Sequence, residues 1–349
     1  MTNLVSVIIP AFNSEGTIAR AIDSVLTQGC EVEVLVVDDG STDRTSQRVM
    51  DYAGETVRLI RQPNSGPGAA RNRGVVEASG AFVTFLDADD WFLPGALNVL
   101  LAEQSATGAQ CVKASYGIAA PGGAVVPHRL RIPGGLRSDA RSVADLRLAF
   151  LENAEHCFAH TWLLEAGLAK SLAFPEDLQF MEDVVYLSRA LMLTKSATVV
   201  DRPVVAYFQG EGSLTRNPRQ FARNALAAVT VAERVVRDTQ DARMRGRIAG
   251  ARLSLLAWLM VLGVEDHSVG RAEFRTLLPR LRRSVRASGL RGAAEGHRRG
   301  LMAPLSTVLL EPGVPGPVAW AAIKIHALAW HAYKQVRTVL RRVRGARVH

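Results

Sequence analysis

Three carboxylates follow one hydrophobic segment of the chain. In FVTFLDADDW, residues 82–91, a run typical of a buried strand ends directly at Asp87, Asp89 and Asp90. Like charges this close raise the cost of ionising one another, and a bound cation relieves that cost. Hard divalent cations prefer carboxylate oxygens, so the D-x-D spacing predicts a site for Mg²⁺ or Mn²⁺. Capping of the following helix is the structural alternative, and for Asp90 both interpretations stay open.

Other polar residues lie at the ends of predicted strands. Strand and helix patterns alternate up to residue 90, and the strands are LVSVIIP, EVEVLVVDDGS, VRLIRQ and AFVTFLDADD. This alternation predicts an α/β fold in which right-handed βαβ units form a parallel sheet. Ligands of such sheets bind at the carboxyl ends of the strands. We therefore expect these residues to converge: Pro10, Asp38, Asp39, Gln62, Pro63 and Asp87 to Asp90.

Helical patterns fill the intervals between these strands. They are SEGTIARAIDSVLTQ, with Ser14 as the predicted N-cap, TDRTSQRVMDYA and GPGAARNRGVVEAS. The last one suggests a dinucleotide-binding fingerprint, because Gly66 and Gly68 follow a strand and open a helix. However, the third small residue of that fingerprint falls on Arg71, and the loop follows the third strand instead of the first. A nicotinamide site is therefore not expected.

The later pattern divides the chain into two predicted domains. Mixed helices and strands continue to about residue 215, with a Gly/Pro-rich loop or hairpin at 121–136 and a helix in SVADLRLAFLEN. Arg-rich helical patterns follow over 216–349. The first region carries 17 Lys/Arg and 25 Asp/Glu, whereas the second carries 25 and 8. An acidic first region and a basic second one indicate different partners.

Composition limits the class of protein. Hydrophobic residues make up 48% of the 349 residues, enough for a buried core. The three cysteines are scattered, which favours a reducing compartment over a disulfide framework or a zinc site. The first residues lack the pattern of a signal peptide. The longest uncharged apolar run, residues 253–264, is too short to span a bilayer, so we expect a cytoplasmic protein.

Three ordered motifs resemble one known family. The segments are VSVIIPAFNSEGTIARAIDSVLTQ, VLVVDDGSTDRT and NSGPGAARNRGVVEASGAFVTFLDADDW. The chain resembles inverting family-2 glycosyltransferases of the GT-A fold, which use nucleotide-diphosphate sugars. The resemblance is dense over residues 4–95 and looser to about 215. It implies a Rossmann-like nucleotide-sugar-binding catalytic domain with a mostly parallel sheet over 1–215, followed by a helical region over 216–349.

The resemblance also implies a set of donor-binding residues. It makes Asp89 the direct metal contact and places Asp87 towards the ribose or the donor sugar. Asp39 resembles the residue that accepts a hydrogen bond from the base, as the imide N–H of uracil would donate. Further contacts to the nucleotide sugar are implied for Pro10, Phe12, Glu15 and Arg71. Core packing for Phe12, helix capping for Glu15 and a turn role for Asp38 stay open as structural alternatives.

The segment FMEDVV supplies the remaining catalytic role. An inverting transfer needs a general base that takes the proton of the acceptor hydroxyl. Asp183 matches the Asp of the family's Glu-Asp motif, and the resemblance implies that Glu182 contacts the acceptor. The structural alternative for Asp183 is a carboxylate that stabilises the start of a helix.

The predicted function is a metal-dependent inverting hexosyltransferase. It would use Mn²⁺ or Mg²⁺ to transfer a sugar, most simply from a UDP-sugar, to a polysaccharide or glycolipid acceptor in cell-surface glycan synthesis. One alternative is a non-catalytic nucleotide-sugar-binding or scaffolding protein. A sugar-phosphate nucleotidyltransferase is disfavoured, since PAFNSEGT replaces the Gly-rich basic loop of that class.

The C-terminal residues 318–349 have three interpretations. Basic and apolar residues lie on opposite faces of a predicted helix. Such a helix could pack on the catalytic domain. It could instead lie on an anionic membrane surface, as a peripheral anchor at the inner face of the plasma membrane. Nucleic-acid binding is not expected, because basic charge alone is weak evidence and no nucleic-acid module is recognised.

Overall fold

The computed structural model describes residues 3–119, 124–128, 158–178 and 181–209, with isolated positions after residue 230. The chain divides into two compact units, Met1–Ser213 and Leu214–His349. The helices and strands whose bounds are described all belong to the first unit. No helix among the described residues is long and apolar enough to cross a membrane.

The first unit contains nine strands and six α-helices with described bounds. The strands are β1 Val5–Ala11, β2 Val32–Asp38, β3 Val57–Arg61, β4 Phe82–Phe85, β5 Trp91–Phe92, β6 Cys111–Ala119, β7 Val126–His128, β8 Trp162–Glu165 and β9 Ala197–Phe208. The helices are α1 Ile18–Leu26, α2 Thr45–Met50, α3 Pro67–Glu77, α4 Ala96–Thr107, α5 Ala166–Lys170 and α6 Glu182–Leu193. A short 3-10 helix, Ala159–Thr161, precedes β8.

One sheet joins the strands in the order β3-β2-β1-β4-β8-β6-β9-β5, and β7 pairs with β6. The first four strands are parallel to one another, as the βαβ pattern predicts. β8 joins them antiparallel to both β4 and β6. β6 and β9 are again parallel, and β5 runs antiparallel to β9. The α/β class is confirmed, and the four parallel strands form a Rossmann-like half of the sheet.

Helices α1 and α3 cover opposite faces of the parallel strands. The side chains of Ile9 and Ile22 belong to one buried cluster, on the α1 face of the sheet. Ile8 points to the other face, where a Cβ added at Gly74 of α3 would lie 2.4 Å from its Cγ2 atom. Glycine at position 74 therefore lets α3 approach the sheet closely. This approach places the N-terminal part of α3, including Arg71 of its second turn, at the carboxyl edge of the strands.

Some local predictions were wrong. Helix α1 begins at Ile18 with Thr17 at its N-cap, so Ser14 is not the N-cap. The carbonyl of Ser14 instead accepts the N–H groups of Thr17 and Ile18 in the turn before the helix. The two-residue β5 and the four-residue β8 were not predicted, because such short strands show no alternation. The predicted helix at 142–153 and most of the 121–136 loop lie outside the described residues.

Candidate active site

The loop after β2 is held by the carboxylate of Asp39. The Oδ1 atom accepts hydrogen bonds from Gln62 Nε2 at 2.8 Å and from the Ser65 N–H at 2.9 Å. The Oδ2 atom accepts the N–H of Gly66 at 2.8 Å. Gly66 has a φ of 91°, which disfavours any other residue. Asp39 therefore fixes the entry to α3, and its oxygens keep further acceptor capacity for a ligand N–H.

Asp38 has a structural environment, in agreement with its turn interpretation. Its side chain is fully buried, and Oδ1 accepts the N–H of Ser41 at 2.9 Å. Its Oδ2 atom accepts the Ser46 hydroxyl and lies 3.7 Å from Arg61 Nε. These contacts close the turn between β2 and α2.

The end of β1 contributes three predicted residues. Phe12 is 49% exposed, which excludes the core-packing interpretation. Pro10 is half-buried at the end of β1. Glu15 does not cap α1; its Oε2 atom accepts the N–H of Arg44 at 3.0 Å and Arg44 Nε at 3.2 Å. Through Arg44, Glu15 therefore stabilises the loop after β2.

Arg71 lies at the centre of a buried charge network. Its Nη2 atom donates to Asp87 Oδ1 at 2.6 Å, and its Nη1 atom donates to Glu182 Oε1. Burial alone would lower the pKa of Arg71, but Asp87 and Glu182 outweigh it and raise the pKa. Burial would likewise raise the pKa of Asp87, yet the Arg71 guanidinium holds it well below its usual range. The network joins β4, α3 and α6 at the carboxyl edge.

Asp183 lies in the first turn of α6, directly after Glu182, which contacts Arg71. Met181 precedes the helix with a φ of 60°, an uncommon conformation for a residue other than glycine. The Asp183 carboxylate accepts the N–H of Val184 at 2.8 Å and lies 3.4 Å from the N–H of Ala159. Burial, followed by the negative charge of Glu182, raises the pKa of Asp183 to about 7. A carboxylate with this pKa is suited to accept a proton near neutral pH.

The turn after β4 separates its three aspartates. Asp89 is exposed, whereas Asp90 is fully buried. Asp90 Oδ1 accepts the N–H of Phe208 at 2.8 Å, and Asp90 Oδ2 lies 3.3 Å from Nδ1 of His160. Helix α4 begins after Gly95, and its N-cap has no side-chain hydrogen bond. Helix capping by the aspartates is therefore excluded, and Asp90 anchors the end of β9 instead.

The residues around this turn fit a divalent cation. Although the side chain of Asp89 is exposed at the surface, desolvation of its carboxyl group by the surrounding protein and the negative charge of Asp87 raise its pKa to about 6. A cation would relieve this cost. One ligand atom each from Asp87, Asp90 and His160 lies within 4.8 Å of the others. Asp89, the predicted metal ligand, is not part of that cluster. An oxygen-rich donor set suits Mg²⁺ or Mn²⁺ better than softer metals.

His160 is a site residue that no sequence motif predicts. Its side chain is 2% exposed and stacks on Phe158 with ring centroids 5.4 Å apart. Its Nδ1 atom lies 3.6 Å from Asp87 Oδ2 and 3.3 Å from Asp90 Oδ2, so the ring contacts two aspartates of the turn. His160 lies in the 3-10 helix that precedes the antiparallel β8, and no signal in the sequence indicates its aspartate neighbours.

The chain matches the sequence model of the family described as Glycosyl transferase family 2 over residues 6–168. It is 32% identical to succinoglycan biosynthesis protein ExoO of Rhizobium meliloti over 260 residues, 69% of this chain and 73% of that protein. The chain belongs to glycosyl transferase family 2. The resemblance seen in the motifs is thus confirmed, and the protein is a glycosyltransferase.

Two further comparisons concern a shorter match and the fold. Over 101 residues the family member is 38% identical to the Escherichia coli protein WfgD, named as a UDP-Glc:alpha-D-GlcNAc-diphosphoundecaprenol beta-1,3-glucosyltransferase. This match covers 28% of the chain and 40% of WfgD. The crystal structure of S. aureus TarS 1-349 in complex with UDP-GlcNAc superposes with a TM-score of 0.64 at 21% identity. The match covers 95% of this chain and 91% of the TarS chain, and it confirms the GT-A fold.

Proposed function

We propose that this glycosyltransferase moves a sugar from a UDP-sugar to a cell-surface polysaccharide or glycolipid with inversion at the anomeric carbon. The observation that carries the proposal is the position of Asp183. Its carboxyl group has a pKa raised to about 7 and lies beside the Asp87–Arg71–Glu182 network at the carboxyl edge of the sheet. A proton acceptor next to the donor-binding edge is the arrangement that an inverting transfer requires.

The nucleotide would bind across the ends of β1 and β2. The exposed ring of Phe12, with Pro10, offers an apolar face to the base, and Asp39 accepts the imide N–H of uracil. Glu15 keeps the loop after β2 in place through Arg44. Because Asp39 is already positioned by three hydrogen bonds, it recognises the base without reorganising.

Asp87 and Arg71 would define the donor sugar side of the site. Arg71 fixes the orientation of Asp87, whose carboxylate faces the ribose or the donor sugar. Asp89 would hold Mn²⁺ or Mg²⁺, which neutralises the diphosphate as negative charge develops on the leaving group. The exposed carboxylate of Asp89 is accessible to such a cation.

Transfer would be a single displacement at the anomeric carbon. The acceptor hydroxyl oxygen forms a bond to that carbon while the bond to the diphosphate oxygen breaks, and UDP leaves with the electron pair. Asp183 takes the hydroxyl proton. Glu182, positioned by Arg71, contacts the acceptor and raises the pKa of Asp183, so that the base holds the proton more readily.

The names of relatives support the substrate classes. UDP-GlcNAc is bound by TarS, and the name of WfgD includes UDP-Glc and a lipid diphosphate acceptor. ExoO is named for succinoglycan biosynthesis. A screen of UDP-, GDP- and CDP-sugars by thermal shift with Mn²⁺ tests the donor class, since a bound ligand raises the melting temperature. A preference for a sugar nucleotide other than UDP would contradict it.

The non-catalytic alternative is tested by donor turnover. A catalytic protein hydrolyses or transfers the preferred UDP-sugar in Mn²⁺, and chelation abolishes the reaction. Binding of the sugar nucleotide without turnover in any acceptor mixture would favour a scaffolding role. Stereochemistry of the product, measured by NMR, tests inversion.

The domain limits and the location stay predictions. We propose a catalytic domain over residues 1–215, a basic helical region over 216–349, and a cytoplasmic protein held peripherally at an anionic membrane. Flotation of full-length protein and of a variant lacking 318–349 with anionic vesicles tests the last point. Equal flotation of both proteins would contradict membrane binding by that segment.

A further inference from the structure

Arg20 of α1 reaches the turn that carries the aspartates. Its Nη2 atom donates a hydrogen bond to the backbone carbonyl of Asp89 at 2.7 Å. Within the part of the chain that the structure describes, Arg20 forms no ion pair with a carboxylate within 4 Å, and its buried Nε atom has no hydrogen-bond partner. The partly buried guanidinium therefore donates to a main-chain carbonyl, and among the described residues it pairs with no carboxylate.

Two aromatic rings hold this guanidinium in place. Its carbon atom lies 4.0 Å from the centroid of Trp91 and 4.9 Å from that of Phe208. The two ring centroids are 6.2 Å apart. Arginine suits this position because its planar group stacks on aromatic faces and is more weakly hydrated than an ammonium. Arg20, Trp91 and Phe208 are called the Arg20 clamp below.

The clamp ties the turn to the last strand of the sheet. Phe208, which stacks on Arg20, also donates its backbone N–H to Asp90 Oδ1 at 2.8 Å. Trp91 pairs with Ala206 of β9. The main chain of Asp89 and the side chain of Asp90 are thus both fixed from behind, while the side chain of Asp89 stays exposed.

We propose that Arg20 is a positioning residue that preorganises Asp89 for the divalent cation. This inference rests on the proposed metal-dependent function. A fixed main chain at Asp89 limits the positions that its carboxylate can reach, so less backbone freedom is lost when a cation binds. Contacts behind a metal ligand commonly change metal affinity by 10–100-fold. The clamp should therefore change cation affinity more than it changes nucleotide affinity or fold stability.

Direct measurement of Mn²⁺ binding tests the clamp without turnover. The full-length protein with saturating UDP is titrated with Mn²⁺, and free Mn²⁺ is followed by electron paramagnetic resonance. Arg20→Met keeps an unbranched apolar stem but removes the donor, and we expect roughly tenfold weaker Mn²⁺ binding. Arg20→Lys keeps a charged donor without the planar stack and should lie between. Trp91→Leu and Phe208→Leu should weaken Mn²⁺ binding in the same direction.

The controls separate positioning from general damage. Arg58→Met removes an exposed arginine on β3 and should bind Mn²⁺ like the wild type. UDP affinity in chelator should be the same in Arg20→Met and wild type, and a melting curve checks the fold. If Arg20→Met does not fold, Arg20→Lys carries the test.

Two results would overturn the inference, and they differ. Wild-type Mn²⁺ affinity in a folded Arg20→Met, or in Arg20→Lys when the former is unfolded, refutes the clamp alone. Absence of Mn²⁺ binding by the wild-type protein refutes the proposed metal dependence, and the clamp with it.

Discussion

The carboxylates on the two sides of the site differ in what they contact. On the proposed nucleotide side, at the end of β2, Asp38 and Asp39 accept backbone N–H groups that hold neighbouring loops. On the proposed transfer side, formed by the turn after β4 and the start of α6, burial and negative neighbours raise the pKa of Asp89 to about 6 and of Asp183 to about 7. The first set is satisfied by the protein itself. The carboxylates of Asp89 and Asp183 can still bind a cation or a proton, which is typical of groups that act on substrates.

The comparison also separates local from distant contacts. Asp38 is held by residues of its own turn, at most eight positions away apart from Arg61. In contrast, Arg71 and Glu182 are 111 positions apart, and Asp90 and Phe208 are 118 positions apart. The nucleotide side is built from adjacent strand–loop–helix units. The transfer side forms only when β8 and β9 join the sheet.

The largest expected loss follows from removal of the predicted metal ligand. Asp89→Ala should abolish transfer to the detection limit and weaken UDP-sugar binding in Mn²⁺, because the diphosphate charge is no longer neutralised. The fold should survive, since the side chain is exposed. Transfer is assayed beside a melting curve. Full activity of this variant, or of wild type in excess chelator, would contradict the distinction between carboxylates that hold loops and carboxylates that bind a cation or a proton.

Replacement of Arg71, the positive side chain of the buried network, should destabilise the fold. Arg71→Met leaves the buried Glu182 and the partly exposed Asp87 without their partner, and breaking the buried Arg71–Glu182 pair should cost about 3–5 kcal/mol in the free energy of unfolding. Urea denaturation measures the loss. Arg73→Met is the matched control, because its exposed pair with Glu77 contributes little. A stability loss of the same size in both variants would contradict a special role for the buried network.

A smaller loss of stability is expected when the contacts of Asp39 with the loop before α3 are changed. Asp39→Asn turns one acceptor into a donor that faces backbone N–H groups, which should cost about 1–3 kcal/mol of stability. It should also narrow the preference for UDP over CDP, since cytosine lacks the imide N–H that Asp39 would accept. Calorimetry with both nucleotides measures this, with the exposed Asp51→Asn as control. An unchanged preference would limit Asp39 to holding the loop.

The smallest expected effect is a shift of the pH profile. The transfer rate at subsaturating donor should rise with pH up to about 7 and then level off, because Asp183 must lose its proton to act as base. Glu182→Gln removes a negative neighbour that raises the pKa of Asp183, so the inflection should move to lower pH. A profile that is flat between pH 5 and pH 8 in wild type, or one that moves to higher pH in the variant, would contradict the assignment of the base.

The parallel half of the fold could be predicted from the sequence because its signals are local. Each of its strands is a hydrophobic run that ends in polar or turn residues, and β1, β2, β3 and β4 were all expected near their observed positions. The same runs placed Asp39 and Asp87 at the carboxyl edge. Family resemblance then supplied the roles implied for these residues, and the structure agrees with their position.

The transfer half could not be predicted to the same extent. Asp183 was identified from a motif, but its raised pKa depends on Arg71, Glu182 and Asp87, which come from separate elements. His160 lies outside the quoted motifs, and the motif that contains Arg20 assigns it no role. Their contacts with the turn depend on short strands and on packing between residues far apart in the chain. A single sequence shows the identity of such residues but not their neighbours.

The central claim is that Asp183 takes the acceptor proton and does not bind the donor. It is tested by measuring transfer and donor affinity in Asp183→Asn, which keeps the shape of the side chain. We expect donor affinity in Mn²⁺ within about twofold of wild type and a turnover number lower by roughly 10²–10⁴-fold. Glu176→Gln, an exposed carboxylate near the same helix, should change neither quantity. Equal losses of donor affinity and turnover in Asp183→Asn, or turnover near that of wild type, would contradict the account.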